Sequence, residues 1–442
     1  MSPKTRIPAT FLRIDIVLIL SVMGLMGLGI GFIYSSGVTS AGIQVSSEWI
    51  KQIIWSASGL VLMTVFSFID YQLWRQWAAP VYLGTLLFLA LVLLFGSYVN
   101  GAKAWIGVGS IGIQPSEFAK FSLIIMLAWW FDERGRVYDS FRVWAGSIAI
   151  TLIPVLLVLM QPDLGTAIVF FPILLTMAFS AGVKWHLLLF PILVGALSVV
   201  GILGLAWSDY IATTSLPFFR LFIDTQLLWI IIPSLLGLTF LIFLGWLIFR
   251  RYFFLVILYI FGVISSSYVA IAGAARVLRG YQMMRLVVFL DPQIDPRGAG
   301  WHIIQSVTAI GSGGVFGKGF LQGTQSHYRY LPEQSTDFIF SILAEETGFI
   351  GSLLVFALFS IIISRALYIA YTSHDRFGTY VSVGVAAMIA YHVIENIGMA
   401  IGVMPITGIP LFFLSYGGSS LWTALVSIGL LLSIHYRRNK LY

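Results

Sequence analysis

Long runs of apolar residues, interrupted by very few charges, are the feature of this sequence that most constrains its fold. Apolar residues make up 59% of the 442-residue chain and charged residues only 10%, whereas a soluble globular protein carries roughly 25% charged residues. A run of about 20 apolar residues is long enough to cross a bilayer as a helix. The sequence therefore predicts an all-α, polytopic integral membrane protein. It excludes a soluble domain, a disordered chain and a nucleic-acid-binding protein.

Twelve runs are predicted to span the membrane. The first follows a short basic segment and lacks a small-residue cleavage site at its end, so we interpret it as a retained helix and not as a signal peptide. The tenth run is too long for one straight crossing and contains Gly348 and Gly351, so we expect a break in it. The runs are 14–35, 51–69, 79–98, 117–131, 145–160, 164–182, 187–206, 227–249, 252–273, 338–371, 379–401 and 420–436.

The positions of the basic residues predict the orientation of the chain. With the amino terminus inside, 15 of the 25 Lys and Arg residues fall on the cytoplasmic side, mostly in short loops, as the positive-inside rule requires. Both termini are then cytoplasmic. Six of the ten outer basic residues lie in the segment 276–329. This concentration indicates an anionic partner on the outer side, and the alternative is that a long loop escapes the rule.

The sequence excludes sites that need cysteine, shows no clear metal-ligand spacing and does not match the phosphate-loop motif. The chain contains no cysteine, which excludes a disulfide framework, a thiolate metal site and a cysteine nucleophile. No set of His, Asp and Glu residues has firm metal-ligand spacing. The glycine-rich run 311–319 resembles a phosphate loop, but Ser312 and Gly319 occupy the wrong positions for that motif. We interpret this run as a flexible turn whose exposed amides are candidate oxyanion donors.

Two carboxylates, Glu333 and Asp337, lie where the apolar run 338–371 begins. Partial shielding of a carboxylate by hydrocarbon disfavours its charged form and raises its pKa toward the range of a general base. Asp337 is therefore a candidate general base. The alternative is a helix N-terminal carboxylate stabilised by the helix dipole.

Glu117 and Lys120 are three residues apart at the start of a predicted helix, so they can pair on one helix face. Ionisable residues at membrane depth are rare and are usually paired or functional. We interpret these two residues as a structural ion pair, with a functional role as the alternative. Lys103 and Trp105 precede them in the chain and are predicted to lie at a membrane interface, where Trp is common as an anchor.

Two further carboxylates have open interpretations. Asp163 lies between two predicted spans on the outer side, where it is either a helix cap or a ligand. Glu395 lies with His392 and Asn396 inside the apolar run 379–401. A carboxylate in such a run indicates either a proton relay or a packed polar network, and the sequence does not separate the two.

A series of short motifs resembles the SEDS family (shape, elongation, division and sporulation) of peptidoglycan polymerases, and its elongation-type members more than its division-type members. Each motif is short, and their joint order is specific. Two positions depart from the family pattern: Ala104 stands where Arg is common, and Ser335 stands where His is common. The matching segments are 101–106, 114–117, 161–166, 289–292, 305–306, 310–314, Gly319, 323–326, 331–333, 336–340, 344–346, Gly348, 405–410 and 415–419.

The resemblance implies a fold and an organisation. The fold is a SEDS-type helical bundle of about twelve transmembrane helices within one integral membrane domain, 1–442. Ten helices form the family core, and two more lie in an insertion at 207–273. The segment 274–337 is then a large extracytoplasmic loop. The implied location is the bacterial cytoplasmic (inner) membrane, with several crossings.

The resemblance also implies an activity. Family members are peptidoglycan glycosyltransferases that polymerise lipid II, an undecaprenyl-pyrophosphate-linked disaccharide, on the outer face of the membrane. The implied partners are lipid II, membrane lipid and a class B penicillin-binding protein, with no nucleic acid. The alternatives are a lipid II flippase or transporter, or a non-catalytic membrane scaffold. We find no inverted repeat of the kind that is common in transporters.

The resemblance assigns roles to individual residues. Asp337 matches the essential acidic residue of the family and is predicted to act as the base toward the 4-hydroxyl of the acceptor sugar, or else to position a metal. No cofactor is certain: outer cations or a divalent ion, Mg²⁺ or Mn²⁺, can stabilise the leaving pyrophosphate. The predicted substrate-binding residues are Lys103, Trp105, Lys318, Arg329 and Glu333. The predicted structural or activity-supporting residues are Glu117, Lys120, Asp163, Glu345 and Glu395.

Overall fold

Helices make up most of the structure, because a backbone inside a membrane must satisfy its hydrogen bonds within its own segment. The computed structural model describes residues 14–99, 102–108, 111–134, 140–212, 217–278 and 280–438. The chain divides into two units. The first unit runs up to Val183 and resumes at Gln305, and the second is Lys184–Ile304.

The first unit contains the helices that carry the candidate site residues. Its elements are α1 (Ile16–Ser36), α2 (Glu48–Phe68), α3 (Tyr71–Gln76), α4 (Ala78–Phe95), β1 (Ser97–Val99), β2 (Ala102–Val108), β3 (Ile111–Ile113), α5 (Pro115–Arg134), α6 (Ser140–Met160) and α7 (Leu164–Ser180).

The second unit is helical, and the chain then returns to the first unit. The elements that follow are α8 (Trp185–Tyr210), α9 (Arg220–Ile223), α10 (Thr225–Phe249), α11 (Tyr252–Val277), α12 (Gly280–Leu290), α13 (Ala299–Ser312), α14 (Thr324–His327), α15 (Ile339–Thr372), α16 (Arg376–Ala400) and α17 (Gly418–Arg437).

Each of the twelve predicted spans coincides with a helix. Within the described residues, ten of these helices are long and apolar enough to cross a membrane by length and composition. The other two are α7, which is apolar but has only 17 residues, and α5, which carries charged residues at both ends. The predicted polytopic helical fold is confirmed.

The centre of the first unit is formed by α5, α16 and α17. The spans α16 and α17 are 72% and 89% buried within the protein, respectively, whereas α2 and α4 are each 22% buried. Helix α16 packs against α5, α7, α15 and α17, and α17 also packs against α2. The polar residues that the sequence places inside apolar runs are therefore shielded by neighbouring helices.

The expected break in the run 338–371 is present. Helix α15 has a non-helical residue, Gly348, with φ 68° and ψ −160°. Such a break leaves backbone groups without helical partners. The amide of Phe349 donates to the carbonyl of Gly314 at 2.9 Å. The glycine-rich run 311–319 thus completes the hydrogen bonding of the broken helix.

One element was not predicted. A three-stranded antiparallel sheet, in the order β1-β2-β3, connects α4 to α5. The sequence predicts no strand here, because these strands are only three to seven residues long and are too short to show a clear alternation. Cross-strand hydrogen bonds and packing on the helices stabilise strands that have little pattern of their own.

The second unit is built around α11, which packs against both α8 and α10. A cluster of buried residues, including Leu205, Tyr268 and Ile271, joins them. The outer faces of α10 are apolar and exposed, since only 6% of this span is buried. An apolar exposed surface of this kind is suited to contact with lipid. The predicted insertion 207–273 lies in this unit, and its status as an insertion stays a prediction.

The segment 274–337 contains regular structure. Helices α12, α13 and α14 lie within it, so it is not a plain loop. Its predicted extracytoplasmic position and the assignment of 1–442 to one domain stay predictions.

Candidate active site

Asp337 lies in a turn that leads directly into α15. The N-cap residue of α15 is Phe338, and the helix has no side-chain cap. Asp337 lies two residues before the start of α15, so the alternative of a helix N-terminal carboxylate stabilised by the helix dipole stays open. The residue is half-buried, which suits a group that must meet a substrate.

Glu333 shapes this turn. It adopts a left-handed backbone conformation with φ 47°, and its carbonyl accepts the amide of Asp337 at 3.1 Å. Its carboxylate accepts the hydroxyl of Thr336 at 3.2 Å. The side chain is exposed. The predicted substrate-binding role of Glu333 stays a prediction, and its local contacts give it a structural role in the turn before Asp337.

The residues between α16 and α17, which we name the 401–417 segment, lie against Asp337. They form no regular helix, and Leu411 and Phe412 are almost fully buried. Irregular backbone at membrane depth is tolerated where protein surrounds it. Gly408 has φ +75°, and a Cβ built on it would lie 3.4 Å from Oδ2 of Asp337. The backbone of Gly408 therefore lies beside the carboxylate, in a left-handed conformation that favours glycine.

Helix α16 holds both the Asp337 turn and the 401–417 segment. The side-chain amide of Asn396 donates to the carbonyl of Asp337 at 2.9 Å and to that of Ile409 at 2.8 Å. One turn earlier on the helix, Nδ1 of His392 lies 2.9 Å from the carbonyl of Pro410. The side chains of His392 and Asn396 are fully buried, so their hydrogen bonds are shielded from water.

The predicted pair of Glu117 and Lys120 is present, with Nζ of Lys120 2.7 Å from Oε1 of Glu117. Nζ of Lys120 also lies 3.0 Å from Nε2 of His392. Because a lysine ammonium can only donate, Nε2 of His392 accepts and its Nδ1–H donates to Pro410. The His392 ring stacks on Phe412, with 3.8 Å between the ring centroids. The ion pair therefore supports the 401–417 segment through His392, which contacts Pro410 and Phe412.

Asp163 is a helix cap. It accepts the amide of Thr166 at 3.1 Å and the Thr166 hydroxyl at 2.8 Å, at the start of α7. It also accepts the side-chain amide of Gln114 at 3.0 Å. Gly165, two residues after Asp163, lies so close to the carbonyl of Thr407 that a Cβ at this position would overlap the carbonyl oxygen. Asp163 thus fixes the end of α7 that contacts the 401–417 segment.

Glu395 is buried on α16. Its Oε2 accepts the hydroxyl of Tyr391 at 3.4 Å, and the side chain of Thr407 lies beside it. Within the described residues its Oε1 has no hydrogen-bond partner. The choice between a proton relay and a packed polar network stays open for this residue.

Glu345 holds the segment after the glycine-rich run in place. Its carboxylate is fully buried and accepts Nζ of Lys318 at 2.7 Å. It also accepts the backbone amides of Thr324 at 2.8 Å, Gln325 at 3.0 Å and Ser326 at 3.3 Å. A carboxylate at the first amides of a helix satisfies donors that have no helical partner. Glu345 therefore anchors α14, and Lys318 neutralises it.

We predict that Glu345→Gln loosens α14 without unfolding the helices around it. Loss of charged hydrogen bonds costs about 1.5–3 kcal/mol, so the amides of Thr324, Gln325 and Ser326 should exchange with deuterium about 10- to 100-fold faster. Glu346→Gln is the matched control, because Glu346 accepts the amide of Leu321 instead. Unchanged exchange at 324–326 in Glu345→Gln would show that the carboxylate does not anchor this helix.

Lys103 and Trp105 lie on β2. Nζ of Lys103 donates to the carbonyls of Leu93 at 2.8 Å and Leu94 at 3.1 Å, so its ammonium caps the end of α4. The Trp105 ring packs over Gly112 of β3. Both residues are half-buried in the sheet, and their predicted contacts with substrate stay predictions.

Arg329 follows α14 in a left-handed conformation with φ 57°. It is exposed and lies between Tyr328 and Tyr330, whose ring centroids are 5.9 Å apart. Within the described part of the chain, no ion pair or side-chain hydrogen bond involves the Arg329 guanidinium. It therefore presents a charge that is available to an anionic ligand.

Sequence reasoning gave no role to several residues of this site. His392 and Asn396 were named only as neighbours of Glu395, and Gly408 only as part of a motif. The i,i+4 spacing of His392 and Asn396 inside an apolar run indicates one polar helix face. Glu346 was not singled out either, although it is buried against His327 at 3.6 Å.

The described residues do not form a metal site of their own. No three His, Asp or Glu side chains in that part of the chain lie close enough together to hold a metal ion. Mg²⁺ is usually held by one or two carboxylates together with substrate phosphates. The predicted divalent cation and the alternative role of Asp337 in positioning a metal therefore stay predictions.

Comparisons with known proteins extend over nearly the whole chain. A family model for FtsW, RodA and SpoVE, described as a cell cycle protein, matches residues 15–226 and 219–440. The chain is 45% identical over 424 residues to the peptidoglycan glycosyltransferase RodA of Treponema pallidum, covering 96% of this chain and 98% of that relative. It is 34% identical over 385 residues to the peptidoglycan glycosyltransferase MrdB of Escherichia coli K12, covering 87% of this chain and 85% of that relative.

A solved structure has the same fold. It is described as "Structural coordination of polymerization and crosslinking by a peptidoglycan synthase complex". The TM-score is 0.66 at 28% identity, and the match covers 97% of this chain and 99% of that chain. The likeness therefore includes both units of the structure.

Proposed function

Since the chain belongs to the FtsW/RodA/SpoVE family, we propose that it polymerises lipid II into glycan strands on the outer face of the cytoplasmic membrane during cell elongation. It is a peptidoglycan glycosyltransferase and a multi-pass membrane protein. Both termini lie in the cytoplasm in this proposal. A class B penicillin-binding protein is the proposed partner, which the likeness to a chain of a peptidoglycan synthase complex supports.

The observation that carries this proposal is the half-buried Asp337 carboxylate, whose Oδ2 lies beside Gly408 of the 401–417 segment. In the proposed step, Asp337 takes the proton of the 4-hydroxyl of the acceptor sugar. The oxygen then forms a bond to the anomeric carbon of the donor sugar, and the bond from that carbon to the pyrophosphate breaks. The undecaprenyl pyrophosphate leaves with the bonding electrons. General base catalysis of this kind contributes a factor of about 10²–10⁴.

The leaving pyrophosphate needs a positive charge close to it. The three basic residues predicted to bind substrate, Lys103, Lys318 and Arg329, differ in whether their charged groups already have a partner within the protein. The ammonium of Lys103 caps α4, and that of Lys318 pairs with Glu345. Arg329 is exposed and carries a planar guanidinium that can bind phosphate oxygens in pairs. We therefore assign the pyrophosphate contact to Arg329 in this proposal.

Arg329→Ala is expected to raise the KM for lipid II by about 10-fold, because a hydrogen bond to a charged group contributes about 1.5–3 kcal/mol. Arg297→Ala, which also removes an exposed arginine, is the charge-matched control and should leave the KM unchanged. The measurement is the initial rate of polymer formation at several lipid II concentrations. A raised KM in Lys103→Met with a normal KM in Arg329→Ala would move the contact to the β2 strand.

An apolar groove between α4 and α5 suits the polyprenyl chain of the substrate. Its volume is about 510 Å³, and its lining includes Val81, Gly84, Phe88, Phe118 and Phe121. Burial of an isoprenoid against such a surface is favourable by about 25 cal/mol per Å² of apolar area.

The proposed reaction assigns no step to a divalent cation. Because no resident metal site is formed by the described residues, we derive no step of the reaction through a metal ion. A Mg²⁺ or Mn²⁺ ion would be brought in by the pyrophosphate oxygens of the substrate.

The direct test gives labelled lipid II to the purified protein with its penicillin-binding partner in detergent. Long glycan strands that depend on Asp337 support the polymerase. Transfer of lipid II across vesicles without polymer would favour a flippase, and neither activity would favour a scaffold. The wild-type chain must make polymer in this assay for the proposal to stand.

A further inference from the structure

The structure assigns to Asn396 a role as a positioning residue for the proposed reaction: its buried amide fixes the distance between the Asp337 carboxylate and the 401–417 segment. This inference rests on the proposed function. It concerns a residue that does not itself touch the reacting atoms.

The contacts of Asn396 are the first support. Its single Nδ2 group donates to two backbone carbonyls, that of Asp337 at 2.9 Å and that of Ile409 at 2.8 Å. Asp337 and Asn396 are 59 residues apart in the chain. The two carbonyls belong to the two chain segments that face each other across the proposed site, because Ile409 directly follows Gly408. One side chain therefore sets the separation of both segments.

The rigidity of the amide is the second support. Asn396 is fully buried on α16, which is itself 72% buried. One turn earlier, His392 fixes the neighbouring carbonyl of Pro410 at 2.9 Å and is held by Lys120. A buried hydrogen bond without competing water holds its geometry. The amide therefore has little freedom to follow a displaced partner.

The consequence for catalysis follows from distance. A base must lie within hydrogen-bond reach of the proton that it removes. Gly408 of the 401–417 segment lies beside Oδ2 of Asp337, since its ideal Cβ position is 3.4 Å from that atom. A shift of either segment by about 1 Å can cost about 10²-fold in rate. Loss of the bridge should therefore lower kcat and leave the affinity for lipid II nearly unchanged.

The chain provides a matched control at the other end of the same segment. Gln52 of α2 is also a buried amide, with 1% exposure. Its Nε2 donates to the carbonyl of Ser415 at 3.2 Å, and its Oε1 accepts the amide of Gly417 at 3.4 Å. Gln52→Ala thus removes an amide that bonds to the 401–417 segment without removing a contact to Asp337.

The experiment compares Asn396→Leu, Asn396→Ala and Gln52→Ala as full-length proteins with the penicillin-binding partner. Each rate is divided by the amount of folded protein, measured by size-exclusion chromatography and thermal unfolding. We expect both Asn396 variants to lose kcat by about 10²-fold with a KM within about threefold of the wild type. Gln52→Ala should keep kcat within about threefold.

Equal losses of kcat in the Asn396 and Gln52 variants would overturn the inference, as would a loss confined to KM. If Asn396→Leu and Asn396→Ala do not yield folded protein, Asn396→Ser carries the test. Its hydroxyl is a shorter donor that reaches one carbonyl at most, so its kcat must fall below that of Gln52→Ala, and equality would again overturn the inference. A wild-type chain without polymerase activity would instead refute the proposed function.

Discussion

Asp337→Asn is expected to lower the rate of glycan polymerisation by about 10²–10⁴-fold, which is the usual contribution of a general base. The amide has the size of the carboxylate but cannot take the proton of the acceptor hydroxyl. The backbone amide of Asp337 contacts Glu333 and its backbone carbonyl contacts Asn396. The substitution keeps both groups, so the variant should fold normally. The measurement is the rate of lipid II incorporation, with thermal unfolding as the check on folding.

The control for this substitution is Glu333→Gln. Glu333 is a second carboxylate of the same turn, and it is exposed where Asp337 is half-buried. It should lose far less activity, because its carboxylate bonds to Thr336, whereas Oδ2 of Asp337 lies beside Gly408 of the 401–417 segment. If Asp337→Asn polymerised lipid II at the wild-type rate, Asp337 would be removed from the mechanism.

Lys120→Met is expected to lower the free energy of unfolding by about 3–5 kcal/mol, because removing one partner of a buried ion pair leaves the other charge uncompensated. The pair is shielded from water, with side-chain exposures of 0% for Lys120 and 2% for Glu117. The variant also loses the contact that orients His392 beneath Pro410. The measurement is thermal or denaturant unfolding of the detergent-solubilised protein.

The double variant Glu117→Gln/Lys120→Met separates charge from packing. Removing both charges should restore much of the lost stability, since neither residue is then left unpaired in a buried site. Arg75→Met is the matched control for a surface pair. The Arg75 side chain is 41% exposed and pairs with Asp132 at 2.9 Å, and exposed pairs contribute about 0–1 kcal/mol. Equal stability losses for Lys120→Met and Arg75→Met would contradict the structure of this site.

The helices were predictable from the sequence because hydrocarbon leaves the backbone few alternatives. The predicted span 338–371 corresponds to α15 at Ile339–Thr372, and its break was expected from Gly348. The strands β1–β3 were not predictable, because their stability comes from pairing with one another and not from their own pattern.

The site was predictable only in part. Asp337 is identified from its place at the start of an apolar run and from the family resemblance, and Glu117 and Lys120 are identified from their spacing. The bridge from Asn396 to Asp337 could not be inferred, because a sequence does not show which distant carbonyls a buried amide meets. The same holds for Lys103 and Lys318: their charges are visible in the sequence, whereas their intramolecular partners are not.

The measurement that tests the central claim most directly is the side of the membrane that Asp337 faces. The chain has no cysteine, so Asp337→Cys, Glu333→Cys and His374→Cys each give a single thiol. His374 is exposed at the opposite end of α15. A membrane-impermeant maleimide added outside intact cells should label positions 333 and 337 and leave 374 unlabelled. Labelling of 374 from outside, with 333 and 337 reached only from the cytoplasm, would contradict catalysis by this carboxylate on lipid II at the outer face.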